Sequence, residues 1–209
     1  MKNNNTILFL CCVAVGLSGW PFCAAAQNTP LNEIEQLKNS DTDHDGLNDY
    51  EEIYIYHSSY LVADTDNDGY SDGDEVKQAY DPNAPGSQTL PKRIVVSLKA
   101  QNLQYFLGGY KVGEFKISSG LKRTPTPPGE YEILKKLPFV TYKGSDYFYP
   151  NTKWNLMFKK QRPGNLYIHG AYWHNSFGTP RSHGCINVSY KNVEVLYSWA
   201  DVGTKVVVE

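Results

Sequence analysis

The chain has 209 residues, enough for one catalytic domain and a small module. Its formal net charge of −2 conceals a division: residues 27–90 hold fifteen acids against two lysines, net −13, and residues 91–209 hold seventeen Lys and Arg against seven acids, net +10. Such a split argues for two modules with different partners; the apolar run near the start is too short for a comfortable membrane span, and no other stretch approaches that length.

Residues 1–26 read as a signal peptide: Lys2 is the only charge, an apolar run follows from Ile7 to Leu17, and Ala24-Ala25-Ala26 offers a small-residue cleavage site. A secreted, periplasmic or cell-envelope protein is expected. Cys11, Cys12 and Cys23 fall inside this leader, so Cys185 is the one cysteine of the mature chain. In an oxidising compartment, a lone cysteine is either a buried small hydrophobe or a working thiol.

Residues 27–40 form a lead segment, and residues 41–85 contain a repeat. Asp41-Thr-Asp-His-Asp-Gly-Leu-Asn-Asp-Tyr-Glu-Glu52 aligns with Asp64-Thr-Asp-Asn-Asp-Gly-Tyr-Ser-Asp-Gly-Asp-Glu75. Both runs place Asp at loop positions 1, 3, 5 and 9, Gly at 6 and Glu at 12, the pattern of a calcium loop. Ca²⁺ takes several hard oxygens at once, so the candidate ligands are Asp41, Asp43, Asp45, the carbonyl of Leu47, Asp49 and Glu52, then Asp64, Asp66, Asp68, the carbonyl of Tyr70, Asp72 and Glu75. About two ions are expected, one per loop. Charge runs are usually solvated linkers, but this one repeats position by position. The loops start 23 residues apart, too close for two EF-hands with full flanking helices. The pattern resembles bacterial thrombospondin type 3 repeats, in which consecutive acidic loops wrap calcium with little regular structure. Without metal, the clustered carboxylates predict a loose or disordered segment.

Residues 86–91 are a Pro/Gly-rich linker. Short strands are then predicted over 93–98, 104–107, 111–119, 130–134, 155–158 and 166–168. A helix is predicted over 189–200, capped by Ser189, with Val193, Leu196 and Ala200 facing inward, and a closing strand over 205–208. Many short strands with one or two helices indicate a mostly β domain, a sandwich or barrel.

The chemistry concentrates in Ile168-His-Gly170 and Ser182-His-Gly-Cys-Ile-Asn187. A cysteine nucleophile needs a base to take its proton and donors for the oxyanion. Cys185 supplies sulfur, His169 or His183 an imidazole, and Gly184 lets main chain approach a reacting carbonyl. Two other readings stand beside this one: a zinc site built from His169, His174, His183 and Cys185, and a buried thiol among structural histidines.

These segments resemble the L,D-transpeptidase catalytic domain (the YkuD-like family), whose signature is an upstream His-Gly followed by Ser/Thr-His-Gly-Cys, an apolar residue, then Asn or Arg. Thr126-Pro-Pro-Gly-Glu-Tyr131 and Val202-Gly-Thr-Lys-Val206 extend the resemblance over residues 92–209. It implies an L,D-transpeptidase-type β-sandwich and a cysteine-dependent acyltransferase with no catalytic cofactor. By resemblance Cys185 is the nucleophile, and His169 is the base, oriented by the Gly170 carbonyl. His183 belongs to the architecture, and the amides of His183, Gly184 and Cys185 form the oxyanion hole. Ser182 and Asn187 brace the loop, and Arg181 is added here as a cation able to meet a substrate carboxylate. The implied partners are peptidoglycan stem peptides, not nucleic acid. A hydrolase on the same scaffold and an inactive calcium-dependent wall-binding protein remain as alternatives.

Overall fold

The computed structural model describes residues 31–86, 89–145 and 147–209. The expected signal peptide lies outside the described residues, as do the first residues of the lead segment. Among the described residues no helix is long and apolar enough to cross a membrane.

Among the described residues nine strands follow the acidic region: β1 (Lys92–Ser97), β2 (Asn102–Leu107), β3 (Tyr110–Lys116), β4 (Gly129–Glu132), β5 (Lys135–Lys143), β6 (Phe148–Lys159), β7 (Leu166–Gly170), β8 (Ile186–Val188) and β9 (Lys205–Val208). They form a five-stranded sheet in the order β3-β2-β1-β9-β4 and a four-stranded sheet in the order β5-β6-β7-β8. Alternation along β1 and β2 turns Ile94, Val96, Leu103 and Tyr105 inward. They meet Leu156, Phe158, Ile168 and Ile186 of the other sheet in one core. Each fully buried Leu or Ile there contributes roughly 1.5–3 kcal/mol.

The C-terminal helix spans Tyr190–Trp199, and Ser189 caps it by accepting from the Asn192 N–H, as predicted. Val193, Leu196 and Ala200 are its buried stripe. The helix packs on β6 and β7, so β7 is buried along its whole length.

Two strands went unread in the sequence. β5 is an edge strand carrying Pro138, which an edge tolerates because its missing N–H need not pair. β8 has only three residues, too few for an alternation to register. Instead of a short strand at 155–158, β6 runs from Phe148, with left-handed backbone at Asn151 and Trp154. The predicted strand over 111–119 ends at Lys116, after which Ser118 bridges Asn187 and Gly120 bridges Ser182.

The acidic region has more regular structure than expected. α1 (Leu31–Asn39) precedes it in the lead segment. The first loop exits into α2 (Asp49–Glu51), which continues as a π-helical turn to Tyr56, and the second exits into α3 (Asp72–Lys77). Asn48 and Ser71 start these helices by accepting main-chain N–H groups of Glu51 and Asp74. The region does not hang free. Leu47 and Tyr56 form a satellite core with Leu107 of β2, packed by Leu90 and Tyr110. The Tyr110 hydroxyl donates to Asp81 Oδ1 at 2.8 Å, and the Leu90 N–H donates to the Ala79 carbonyl. The expected linker is therefore pinned at its described ends.

Candidate functional site

His169 sits in the buried strand β7, beside β8, with His169 and Asn187 paired in parallel register. Its Nδ1 lies 2.9 Å from the Gly170 carbonyl oxygen. A carbonyl only accepts, so Nδ1 carries the hydrogen and Nε2 of the neutral ring is left as a base. Gly170 must be glycine: a Cβ there would lie 2.4 Å from the Tyr190 ring. Burial holds His169 down to about 4, and the Gly170 hydrogen bond opposes that shift.

Cys185 enters β8 from the loop that carries the other matched residues. Arg181 and Ser182 donate their N–H groups to the Ser119 carbonyl, and Leu121 N–H donates to the Ser182 carbonyl. The Ser182 hydroxyl bonds the Cys185 carbonyl and accepts the Gly184 N–H. Thr126 Oγ1 donates to the Gly184 carbonyl at 2.8 Å while accepting the Gly120 N–H. Gly184 adopts φ +117, in the region that favours glycine. Burial pushes the Cys185 thiol up to about 11, and the Sγ lies 4.0 Å from the Asn165 carbonyl.

His169 and Cys185 line the same small cavity of about 70 Å³, together with Ser182, His183, Asn187 and the edge residue Arg181. Cys185 also lines a larger cavity of about 570 Å³, bounded by Thr124, Val140, Lys143, Gln161 and Tyr167. Tyr142, Tyr147 and His183 line both cavities. Tyr142 and Tyr147 come from the β5–β6 hairpin, and His183 from the loop before Cys185. A bulge between Val140 and Tyr142 and the left-handed residues Asn151 and Trp154 bend the ribbon. Left-handed backbone costs about 1–2 kcal/mol at Trp154 and less at Asn151. Tyr142 stacks on His169, Tyr147 on His183, and Tyr149 on Trp173 with ring centroids 3.7 Å apart.

In the acidic region, Asp41, Asp43 and Asp45 bring carboxylate oxygens together, as do Asp64, Asp66 and Asp68. Both oxygens of Glu52 and of Glu75 are buried without a hydrogen-bond partner, as are Asp43 Oδ1 and Oδ2, Asp41 Oδ1 and Asp66 Oδ2. Burial, with Asp43 nearby, pushes the Glu52 carboxyl up to about 8; burial, with Asp66 nearby, pushes Glu75 up to about 7. Orphaned buried carboxylates that repel one another fit a hard divalent cation well. Asp49 and Asp72 are used differently from the other acids. Each spends both oxygens on the N–H and hydroxyl of a threonine, Thr42 and Thr65, which closes its loop. Leu47 is buried in the satellite core and Tyr70 is exposed. Asp45 Oδ2 accepts the Gly73 N–H, joining the first loop to the helix of the second.

The L,D-transpeptidase catalytic-domain model matches residues 91–208. The chain belongs to the L,D-transpeptidase family. The bacterial TSP3 repeat model matches residues 41–58 and 64–85. The putative L,D-transpeptidase YkuD of Bacillus subtilis (strain 168) is 32% identical over 132 residues, which cover 61% of this chain and 71% of that protein. An L,D-transpeptidase crystal structure from Mycobacterium tuberculosis H37Rv shares 26% identity at a TM-score of 0.53, covering 58% of each chain. The catalytic domain of the Enterococcus faecium L,D-transpeptidase, solved by NMR, shares 27% identity at a TM-score of 0.51, covering 58% of this chain and 99% of that one.

In this L,D-transpeptidase domain the structure gathers Cys185, His169, Ser182, His183, Arg181 and Asn187 round one cavity, while Gly184 lines the larger one and Gly170 packs against Tyr190. The four residues of the zinc reading do not converge; among the described residues the convergent acid, His and Cys groups are the two Asp triads. Of the three amides expected to face an oxyanion, that of Gly184 donates instead to Ser182 Oγ. Sequence reasoning missed Tyr142, Tyr147, Tyr149 and Trp173. The one signal for them was a high density of aromatics between residues 139 and 173.

Proposed function

We propose that the domain is a peptidoglycan L,D-transpeptidase that forms a thioester on Cys185 and passes the acyl group to an amine. The observation that carries this is the His169 tautomer: Nδ1–H is committed to the Gly170 carbonyl, leaving a bare Nε2 on the cavity that Cys185 shares. With the imidazole held down and the thiol held up, the resting pair is neutral. The proton therefore leaves sulfur as the sulfur attacks, with no standing thiolate.

Cys185 Sγ attacks the carbonyl of the third residue of a tetrapeptide stem, and its proton passes to His169 Nε2. The main-chain N–H of Cys185 supports the developing oxyanion. The carbon–nitrogen bond breaks, and His169 returns the proton to the departing D-alanine amine. An amine from a neighbouring stem then attacks the thioester and gives a proton to His169; the carbon–sulfur bond breaks and His169 passes that proton to Cys185 Sγ, leaving a 3-3 cross-link. The larger cavity beside Cys185 favours this outcome over hydrolysis, because an acceptor peptide needs room that water does not. The basic balance of the domain suits an anionic wall polymer. The leader-like sequence, the acidic loops and a wall-directed domain support a location outside the cytoplasm, where millimolar calcium would fill about two sites held by the Asp triads with Glu52 and Glu75.

Purified protein incubated with tetrapeptide muropeptides should yield cross-linked dimers by mass spectrometry, and Cys185→Ala and His169→Ala should yield none. Tripeptides alone would make it a hydrolase. Product persisting in Cys185→Ala would remove that residue from the mechanism.

A further inference from the structure

The proposed reaction forms an imidazolium at His169 twice, once from the thiol proton and once from the acceptor amine. The site opposes that charge. The ring is buried, and His174 nearby also disfavours it. No Asp or Glu is among the residues lining the cavity; the other titratable groups there are Cys185, His183, Arg181 and the tyrosines at 142, 147 and 149. A dry imidazolium whose one fixed polar contact is a carbonyl needs a further source of negative potential.

Tyr142 is placed to supply it. Its ring lies face to face with the imidazole, with centroids 4.4 Å apart and planes 26° apart. The face of a phenol ring is electron-rich and attracts a cation within about 6 Å of the centroid. Tyr142 is also held firmly. Its hydroxyl donates to Asn155 Oδ1 at 2.8 Å, and Tyr167 packs edge-on against it. Asn155 is fully buried and donates its Nδ2 to the Leu137 and Thr152 carbonyls, so Oδ1 is the acceptor and the phenol keeps its proton. Trp173 is the other aromatic near His169, farther away at 5.9 Å.

We propose that Tyr142 is a positioning residue of the acyl transfer, its ring face stacking on His169 and stabilising the imidazolium formed when Nε2 takes the Cys185 proton. This rests on the reading of His169 as the base.

The test measures Cys185 alkylation by iodoacetamide, a probe too small to need the peptide subsites, from neutral to strongly alkaline pH in the full chain. At neutral pH alkylation needs the imidazole; at the alkaline limit the thiol ionises without it. Tyr142→Leu should slow the neutral limb about tenfold, within the range of a desolvated cation–π contact, and leave the alkaline limit unchanged. Tyr142→Phe, which keeps the ring face, should retain most of the neutral rate. Equal loss on both limbs, or Phe as damaging as Leu, would overturn the proposal. If the Leu variant does not fold, phenylalanines of increasing fluorination at position 142 replace it: the neutral rate must fall as the ring face loses electron density, and a flat series rejects the idea. His169→Ala serves as the separate control. A neutral limb that survives in that variant means the base itself is misassigned, an outcome distinct from failure of Tyr142.

Discussion

Shortening Leu107 to alanine asks whether the acidic module and the sandwich behave as one folded body. Leu107 closes β2 with 1% of its surface exposed, and beneath it lie Leu47 and Tyr56 from the first acidic repeat. A buried Leu→Ala change costs about 2–5 kcal/mol, and a small cluster near the surface can partly collapse, so about 2–3 kcal/mol is expected here. The cost should depend on calcium. With the loops loaded, the module is docked and the full penalty appears in urea unfolding. With chelator the loosened module already leaves Leu107 without those partners, and the penalty should fall below about 1 kcal/mol. By reciprocity, losing about 2 kcal/mol of docking weakens total calcium affinity roughly thirtyfold, which calorimetric titration would detect. The same destabilisation with and without calcium, together with unchanged affinity, would refute the coupling.

The neutral thiol–imidazole pair makes a second prediction, for stability against pH. The folded state holds His169 at about 4 against an ordinary 6.5, so its contribution is present above 6.5 and is lost as pH falls towards 4. Cys185, raised from 9.0 to about 11, contributes fully below 9.0 and is lost as pH rises towards 11. Thermal melts at saturating calcium should show both limbs, and His169→Gln should flatten the acid one. Gly184→Ala combines an unfavourable φ with a Cβ 3.2 Å from Leu166, so acylation by a carbapenem, followed by intact mass, should slow about a hundredfold. Thr126→Val strands the Gly184 carbonyl and the Gly120 N–H, and urea unfolding should show a loss of about 1–3 kcal/mol.

The residues proposed as nucleophile and base, and the acidic loops, stood out because their chemistry restricts residue type and spacing together. Few sequences place a lone mature cysteine after Ser-His-Gly, and few linkers repeat Asp at every second position. The sandwich was legible from the alternation in β1 and β2 and from the cap and stripe of the C-terminal helix. The β5–β6 hairpin was not. Pro138 breaks its pattern, and of its two left-handed residues Asn151 tolerates that backbone but Trp154 gives no hint of it. The satellite core was invisible for another reason: Leu47, Tyr56 and Leu107 come from separate segments, and none completes a periodic stripe by itself. Nor did the repeat distinguish Asp49 and Asp72, which close their loops, from the acids whose oxygens have no protein partner.

One feature of the sandwich bears on how such a protein changes over time. His169 and the segment that follows Cys185 are held by hydrogen bonds between two neighbouring parallel strands, not by the excursion from Ala171 to Arg181 that joins them. The separation of His169 from Cys185 is thus insulated from that connector's length. Insertions or deletions there can reshape the cavity wall that Trp173 lends while His169 and Cys185 keep their separation, so what the cavity admits can drift without that pair having to be rebuilt.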